Sequence, residues 1–215
     1  MHRSLEELSP GKKPPTQINV VIEIPLGSSV KYEMDPRTGG IFVDRFLYTA
    51  SYYPFNYGFV PGTIEDDGDP VDVGVLSQHS VFPMSVIRAR PVAVLLTEDE
   101  KGPDPKVIAV PSIKTDPYYA QTRDVSDIPS FTLHLIEDFF RRYKELEPRK
   151  FVKIIGWKGK RHAEEIISRG IAEHRKKLGK KSSHEKAENV PDSMLGAHPN
   201  MKSLTKRDEA LVHKP

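Results

Sequence analysis

The 215-residue sequence predicts an α+β fold, most simply a small β-barrel flanked by helices. From residue 17 to about residue 110, short apolar runs alternate with turn residues, which is typical of successive strands. Helical spacing of apolar residues begins only near residue 129. The chain is long enough to bury one core, and it contains no cysteine, so disulfides and thiolate metal sites are excluded.

Apolar runs predict the strands, and Gly-rich or Asp-rich turns separate them. The predicted strands cover residues 17–24, 41–48, 71–76, 86–96, 106–110 and 151–157. In the first strand Ile18, Val20, Ile22 and Ile24 share one face. The period of two therefore places Glu23 on the opposite face, as a lone acid in an apolar strand.

Two late segments have helical periodicity. Residues 129–147 begin with a proline suited to a first helical turn, and their apolar stripe is Leu133, Ile136, Phe140 and Tyr143. Residues 161–178 predict a second amphipathic helix, weakened by Gly170. Its stripe is Ile166, Ile167, Ile171 and His174.

Composition divides the chain into three parts: an N-terminal extension (1–16), a barrel domain (17–178) and a polar C-terminal tail (179–215). Lys and Arg number 32 against 30 for Asp and Glu, which argues against a strongly basic nucleic-acid-binding face. No apolar run is long enough for a secretory signal or a membrane span. We therefore expect a cytoplasmic location, with no nucleic acid or membrane as a partner.

Two acidic segments border strands of the same predicted sheet, so we expect them to meet at one rim of the barrel. One carries Asp67, Asp69 and Asp72, and the other carries Asp99 and Asp104. Crowded carboxylates repel each other unless they are protonated or bind cations. Oxygen ligands without cysteine favour magnesium or manganese over zinc. The alternative is an ordinary solvated turn, because Asp-Gly and Asp-Pro are common turn dipeptides.

Basic and aromatic residues near these acids suit a substrate with many anionic oxygens. They are Lys31, Arg45, Tyr53, Tyr57, Lys106, Tyr143 and Lys144, with Glu33 on the face of Lys31. Each also has a structural alternative. Arg45 can pair with Asp44, Lys31 can pair with Glu33, and Tyr143 can be a core residue of the helix.

Several segments resemble, in order and spacing, the soluble family I inorganic pyrophosphatases across roughly residues 17–160. They are EIP (23–25), KYE (31–33), FVDRFL (42–47), YPFNYGF (53–59), DGDPVDV (67–73), DEKGPDPK (99–106) and FFRRYKELE (139–147). The resemblance implies a five-stranded OB-like β-barrel with flanking C-terminal helices. It also implies hydrolysis of magnesium pyrophosphate to two orthophosphates.

Matching motif positions assigns roles to individual residues. The resemblance implies that Asp67, Asp72 and Asp104 hold an activating metal, with Asp72 reaching a second, and that Asp99, Asp104 and Glu23 hold further metals. It makes Asp69 the general base, with Tyr57 beside it and the attacking water. The resemblance implies that phosphate oxygens are bound by Lys31, Arg45, Tyr143 and Lys144. The remaining residues around the substrate would be Lys106, Glu33 and Tyr53. Glu65 and Asp66 are expected to be solvated turn residues.

The same resemblance implies several Mg²⁺ ions per subunit, with Mn²⁺ or Zn²⁺ as substitutes. It favours a homo-oligomer, specifically a hexamer, although this chain has Asp138 and Arg142 where some hexameric bacterial members carry histidines. Two other functions are weighed against it. One is a metal phosphohydrolase acting on a nucleotide or polyphosphate, and the other is an OB-like module for single-stranded nucleic acid. Carboxylates at the same rim would repel a phosphodiester backbone, which disfavours the second.

Overall fold

The structure, a computed structural model, describes residues 8–35 and 38–188, with side chains as far as residue 179. Its contacts form two compact units, Met1–Leu178 and Gly179–Pro215. The first seven residues of the expected N-terminal extension and the tail after residue 188 lie outside the described residues. The three-part division of the chain stays a prediction.

Nine strands and two α-helices make up the described part of the chain. The strands are β1 (Ile18–Ile24), β2 (Val30–Met34), β3 (Ile41–Phe46), β4 (Asn56–Phe59), β5 (Asp72–Val75), β6 (Val86–Asp99), β7 (Gly102–Pro103), β8 (Lys106–Pro111) and β9 (Val152–Gly159). The helices are α1 (Ser130–Arg142) and α2 (Lys160–Glu188). Short 3₁₀ turns at Pro117–Tyr119 and Val125–Asp127 lead into α1.

Five strands close into a barrel. β1 pairs with β4, β4 with β5, β5 with β8, β8 with β6, and β6 returns to β1. The β5–β8 pair is parallel and the others are antiparallel. The second half of β6 also pairs with β9, while β2 and β3 form a separate hairpin. This closed ring with late helices confirms the predicted α+β barrel.

Two apolar clusters stabilise the barrel, and alternate residues of the strands divide between them. On β8, Val107 and Ala109 belong to the cluster covered by α2, whereas Ile108 and Val110 belong to the cluster covered by α1. The second cluster is rich in aromatic rings. Burial of this apolar surface is the main favourable contribution to folding, because it removes that surface from water.

Most predicted elements are present, but several differ. Helix α1 ends at Arg142 rather than at residue 147. Residues 143–147 instead form tight turns. Strands β2, β4 and the two-residue β7 were not predicted as strands. All four residues of β4 are buried, so it shows no alternation. Helix α2 extends beyond the predicted end at residue 178.

No helix within the described ranges combines the length and the apolar character that crossing a membrane requires.

Gly58 allows β1 and β4 to approach each other. A Cβ atom at this position would lie 1.8 Å from the carbonyl oxygen of Val21 and 2.8 Å from the Cα of Ile22. Both atoms belong to the backbone, so they cannot move without displacing the strand. A residue with any side chain at position 58 therefore disrupts the pairing of β1 with β4, in which Ile22 lies opposite Gly58 and Ile24 opposite Tyr57.

We predict that Gly58→Ala lowers the free energy of unfolding by about 3 kcal/mol or more, as expected for severe overpacking. The matched control is Gly74→Ala on β5, whose Cβ would meet only side-chain atoms, at 3.1 Å and beyond. It should cost about 1 kcal/mol, since side chains can adjust. Chemical denaturation measures both values, and equal losses for the two variants would contradict this explanation.

Candidate active site

A single cavity of about 730 Å³ gathers every residue that the sequence proposed for the site. Its walls come from β1, the β2–β3 hairpin, the β4–β5 loop, the β6–β8 turn and the turns after α1. The fourteen residues are Glu23, Lys31, Glu33, Arg45, Tyr53, Tyr57, Asp67, Asp69, Asp72, Asp99, Asp104, Lys106, Tyr143 and Lys144. The two acidic segments therefore do meet at one place.

The β4–β5 loop, which carries the first acidic segment, is fixed at both ends by buried hydrogen bonds. The Thr63 hydroxyl donates to the Val60 carbonyl at 2.6 Å and accepts the Val71 N–H at 2.9 Å. At the tip, the N–H of Asp69 donates to Oδ1 of Asp67 at 3.0 Å. Gly68 has a φ of +95°, a left-handed conformation that favours glycine. This hydrogen bonding holds the Asp-Gly-Asp turn in one geometry.

Lys106 is a buried cation between two carboxylates. Its Nζ lies 2.5 Å from Oδ2 of Asp72 and also contacts Oδ1 of Asp104. Burial alone would lower the pKa of Lys106, but Asp72 and Asp104 outweigh it and raise that pKa above its ordinary value. Burial raises the pKa of Asp104, and Lys106 offsets this only in part.

Lys144 makes a second such pair with Asp99. The distance from its Nζ to Oδ2 of Asp99 is 2.9 Å, and Oδ1 of Asp99 accepts the N–H of Lys101 at 2.8 Å. Burial alone would raise the pKa of Asp99, but the hydrogen bond from Lys144 and the one from Lys101 lower it. Asp99 is thus held as a carboxylate.

Glu23 projects from β1 into the cavity, as the alternation of the strand predicted. Its Oε1 accepts the N–H of Met34 at 2.8 Å, which ties the β2–β3 hairpin to the barrel. Burial raises the pKa of Glu23 to about 7, and the charge of Asp72 adds to the effect of burial. A cation bound near Glu23 would favour its ionised form.

The hairpin contributes a network of alternating charges. Lys31 contacts Glu33 and lies 3.3 Å from Oδ2 of Asp44, which Arg45 also contacts. The Nε of Arg45 donates to Oε1 of Glu147 at 2.8 Å. The pairs Arg45–Asp44 and Lys31–Glu33, considered above as structural alternatives, are therefore present, and all four side chains also line the cavity.

Three tyrosines form the apolar wall of the cavity. Tyr53, Tyr57 and Tyr143 are buried in the α1-side cluster, where the rings of Tyr53 and Tyr57 are 5.6 Å apart. Burial raises the pKa of each phenol above its ordinary value. Each phenol is therefore a neutral hydrogen-bond donor at neutral pH. Tyr143 is both a core residue and a cavity residue, so the two interpretations of it are compatible.

Asp69 is exposed and, like Asp67, has no lysine or arginine partner in a salt bridge among the described residues. Partial burial, and then the charge of Asp67, raise its pKa above the ordinary value. A carboxylate with a raised pKa is a better proton acceptor than an ordinary aspartate.

The expectation that Glu65 is a solvated turn residue is wrong, whereas Asp66 is exposed as expected. Glu65 is half-buried and lines the cavity, and burial raises its pKa to about 8, with Asp72 contributing next. The turn dipeptides indicated a surface loop, but the packing of that loop on α2 could not be read from them. The N–H of Ile64 donates to the carbonyl of Gly170 at 3.0 Å, which brings Glu65 inward.

The donor set fits a hard divalent cation. The charged or imidazole groups that could act as ligands around the cavity are the carboxylates of Asp and Glu and the ring of His174. In the described part of the chain, no three acidic or histidine groups are spaced to hold a metal as they stand. The ammonium of Lys106 already stands as a cation between Asp72 and Asp104, which shows that these oxygens converge on a positive charge.

Sequence reasoning missed three acidic residues that form ion pairs in or beside the cavity. Asp44 holds Lys31 and Arg45, Glu147 holds Arg45, and Glu100 holds Lys150. Asp44 lies beside Arg45 in the FVDRFL segment, so the sequence did indicate that it could pair with Arg45. Glu147 is 102 residues from Arg45 in the chain, and nothing local indicates that contact.

Comparison with known proteins gives consistent results. A family model described as inorganic pyrophosphatase matches residues 20–175. An inorganic pyrophosphatase from Aquifex pyrophilus is 55% identical over 171 residues, which cover 80% of this chain and 97% of that protein.

Solved structures agree with this match. A crystal structure of an inorganic phosphatase from Anaplasma phagocytophilum has a TM-score of 0.77 at 49% identity, covering 79% of this chain and 99% of that one. The inorganic pyrophosphatase from Thermus thermophilus has a TM-score of 0.77 at 42% identity, covering 80% and 99%.

The structural similarity confirms the predicted OB-like barrel with C-terminal helices. The family match runs from within β1 to within α2, and it includes the residues that line the cavity. This chain therefore belongs to the inorganic pyrophosphatase family.

Proposed function

We propose that this chain is a magnesium-dependent hydrolase that converts inorganic pyrophosphate to two orthophosphates. The observation that carries the proposal is the cavity itself, which is lined by carboxylates interleaved with lysine, arginine and tyrosine side chains. A dianionic or more highly charged substrate needs both cations and hydrogen-bond donors around it. Membership of the family supports the same conclusion.

Several carboxylates are proposed to hold Mg²⁺, with Mn²⁺ or Zn²⁺ as substitutes. Asp67, Asp72 and Asp104 would bind one ion, with Asp72 reaching a second, and Asp99, Asp104 and Glu23 would bind ions nearer to the substrate. When bound, Mg²⁺ neutralises phosphate oxygens and lowers the pKa of a coordinated water from about 15.7 towards 7. The lysines paired with Asp72, Asp99 and Asp104 would then be free to bind the substrate.

Asp69 is proposed as the general base. Its carboxylate accepts the proton as the oxygen of water forms a bond to one phosphorus and the bridging P–O bond breaks. The raised pKa of Asp69 and its exposed position without a cationic partner support this role. Tyr57 on β4, whose phenol is hydrogen-bonded to the Asp72 side chain, would help to orient the attacking water.

The remaining polar residues are proposed to bind phosphate oxygens. Arg45 is held through Nε by Glu147, so its planar guanidinium has a fixed orientation. Lys31, Tyr143 and Lys144 supply further donors. Lys106, Glu33 and Tyr53 complete the set of residues around the substrate. Because these contacts hold the substrate in place before the reaction, less entropy is lost on reaching the transition state.

The function is tested by measuring orthophosphate release from pyrophosphate and from ATP, with Mg²⁺ and with EDTA. We predict rapid release from pyrophosphate with Mg²⁺, little release from ATP, and none with EDTA. Comparable release from ATP would instead indicate a nucleotide phosphohydrolase. No release from pyrophosphate would refute the proposal.

Asp69→Asn is expected to reduce turnover by a factor of about 10² to 10⁴, because it removes the proton acceptor. Mg²⁺ binding should change far less, since the other carboxylates remain. The matched control is Asp66→Asn, which removes the same charge from an exposed residue of the same loop and should leave turnover unchanged. Wild-type turnover in Asp69→Asn would exclude Asp69 as the base.

A homo-oligomer, with a hexamer favoured, and a cytoplasmic location are also proposed. Large exposed apolar side chains on the β2–β3 hairpin and the segment after it support self-association, namely Phe42, Val43, Phe46, Tyr48 and Tyr52. Asp138 and Arg142 pair with each other on α1 at 2.7 Å. Analytical ultracentrifugation should therefore give a mass several times that of the chain, and a monomer would contradict this.

The absence of cysteine supports the proposed cytoplasmic location.

A further inference from the structure

Glu65 lies in the cavity, yet the reaction described above gives it no role. Its Oε1 atom is buried and has no hydrogen-bond partner among the residues that the structure describes. A carboxylate oxygen removed from water without a donor is costly, so such an atom in a folded protein needs an explanation. A ligand of the cavity would provide one.

The backbone of Glu65 holds its side chain in this position. Its N–H donates to the carbonyl of Asp69 at 2.8 Å, and its carbonyl accepts the N–H of Gly68 at 3.0 Å. The preceding residue, Ile64, donates to the carbonyl of Gly170 on α2. Glu65 is therefore the residue at which the Asp-Gly-Asp turn closes, and its side chain is directed by the same contacts that shape that turn.

The charges around Glu65 leave its carboxylate uncompensated. The charged groups that act on it are Asp72, Lys106, Asp104 and Asp67. Three of these are acids, and the one cation, Lys106, is already in contact with Asp72 and Asp104. The folded chain thus brings a further carboxylate to a place where an added cation would balance it.

We propose that Glu65 is an additional carboxylate for the divalent cation of this cavity and strengthens its binding. The inference rests on the proposed function, because it directs Glu65 toward the same Mg²⁺. The family resemblance assigns no role to this position. Affinity for hard cations rises with the number of carboxylates around the site, so Glu65 would adjust the Mg²⁺ affinity of this chain.

The test is calorimetric titration of Mg²⁺ into the full chain without substrate. Glu65→Gln keeps the shape of the side chain and removes its charge, and we expect it to weaken Mg²⁺ binding about tenfold, as outer partners of metal sites do. Asp66→Asn is the control, because it neutralises the exposed neighbour on the same loop. It should bind Mg²⁺ as the wild type does.

Thermal unfolding gives a second readout that does not depend on activity. In EDTA, Glu65→Gln should unfold at the same temperature as the wild type or a higher one, because it relieves repulsion among the acids. Added Mg²⁺ should raise the melting temperature of Glu65→Gln less than that of the wild type, because weaker binding of the same ligand stabilises the folded state less. Asp66→Asn should match the wild type under both conditions.

Wild-type Mg²⁺ affinity in Glu65→Gln, or a lower melting temperature in EDTA, would overturn the inference and leave the proposed function standing. If Asp66→Asn weakened Mg²⁺ binding equally, the effect would come from the net charge of the loop and not from Glu65, which would also overturn the inference. A wild-type chain that neither binds Mg²⁺ nor releases orthophosphate from pyrophosphate would refute the proposed function and this inference together.

Discussion

Repulsion among the carboxylates of one cavity is the constraint on which the rest of the site depends. Asp67, Asp72 and Asp104 come from a loop, a strand and a turn, and the closed barrel brings them together whatever their charges. Because Lys106 contacts Asp72 and Asp104, part of the repulsion is neutralised by the chain itself. The lysine is thus both a structural counter-ion and a donor available to an anionic substrate.

The barrel makes this arrangement tolerable because its stability comes from elsewhere. The two apolar clusters on opposite faces of the strands supply the favourable burial, and neither needs the cavity to be neutral. Tyr53, Tyr57 and Tyr143 link the two parts, since their rings pack in the α1-side cluster and also line the cavity. The polar site therefore rests on a rigid apolar wall, which favours preorganised binding.

Local pattern predicted much of this fold and site. The alternation of β1 placed Glu23 correctly, and the acidic segments were expected at one rim because they border strands of one sheet. Contacts that depend on tertiary structure were not predictable. The pairing of β4 depends on the close approach at Gly58, the orientation of Arg45 depends on a residue 102 positions away, and the burial of Glu65 depends on the contact of its loop with α2.

The most direct test of this account is a crystal structure of the chain with Mg²⁺ and a non-hydrolysable diphosphate. The account predicts Mg²⁺ on the oxygens of Asp67, Asp72 and Asp104, with the diphosphate against Arg45 and Lys144. It also predicts that Lys106 no longer bridges Asp72 and Asp104, because a metal now balances those charges. A structure in which Lys106 still bridges the two acids while Mg²⁺ and the diphosphate bind elsewhere would contradict it.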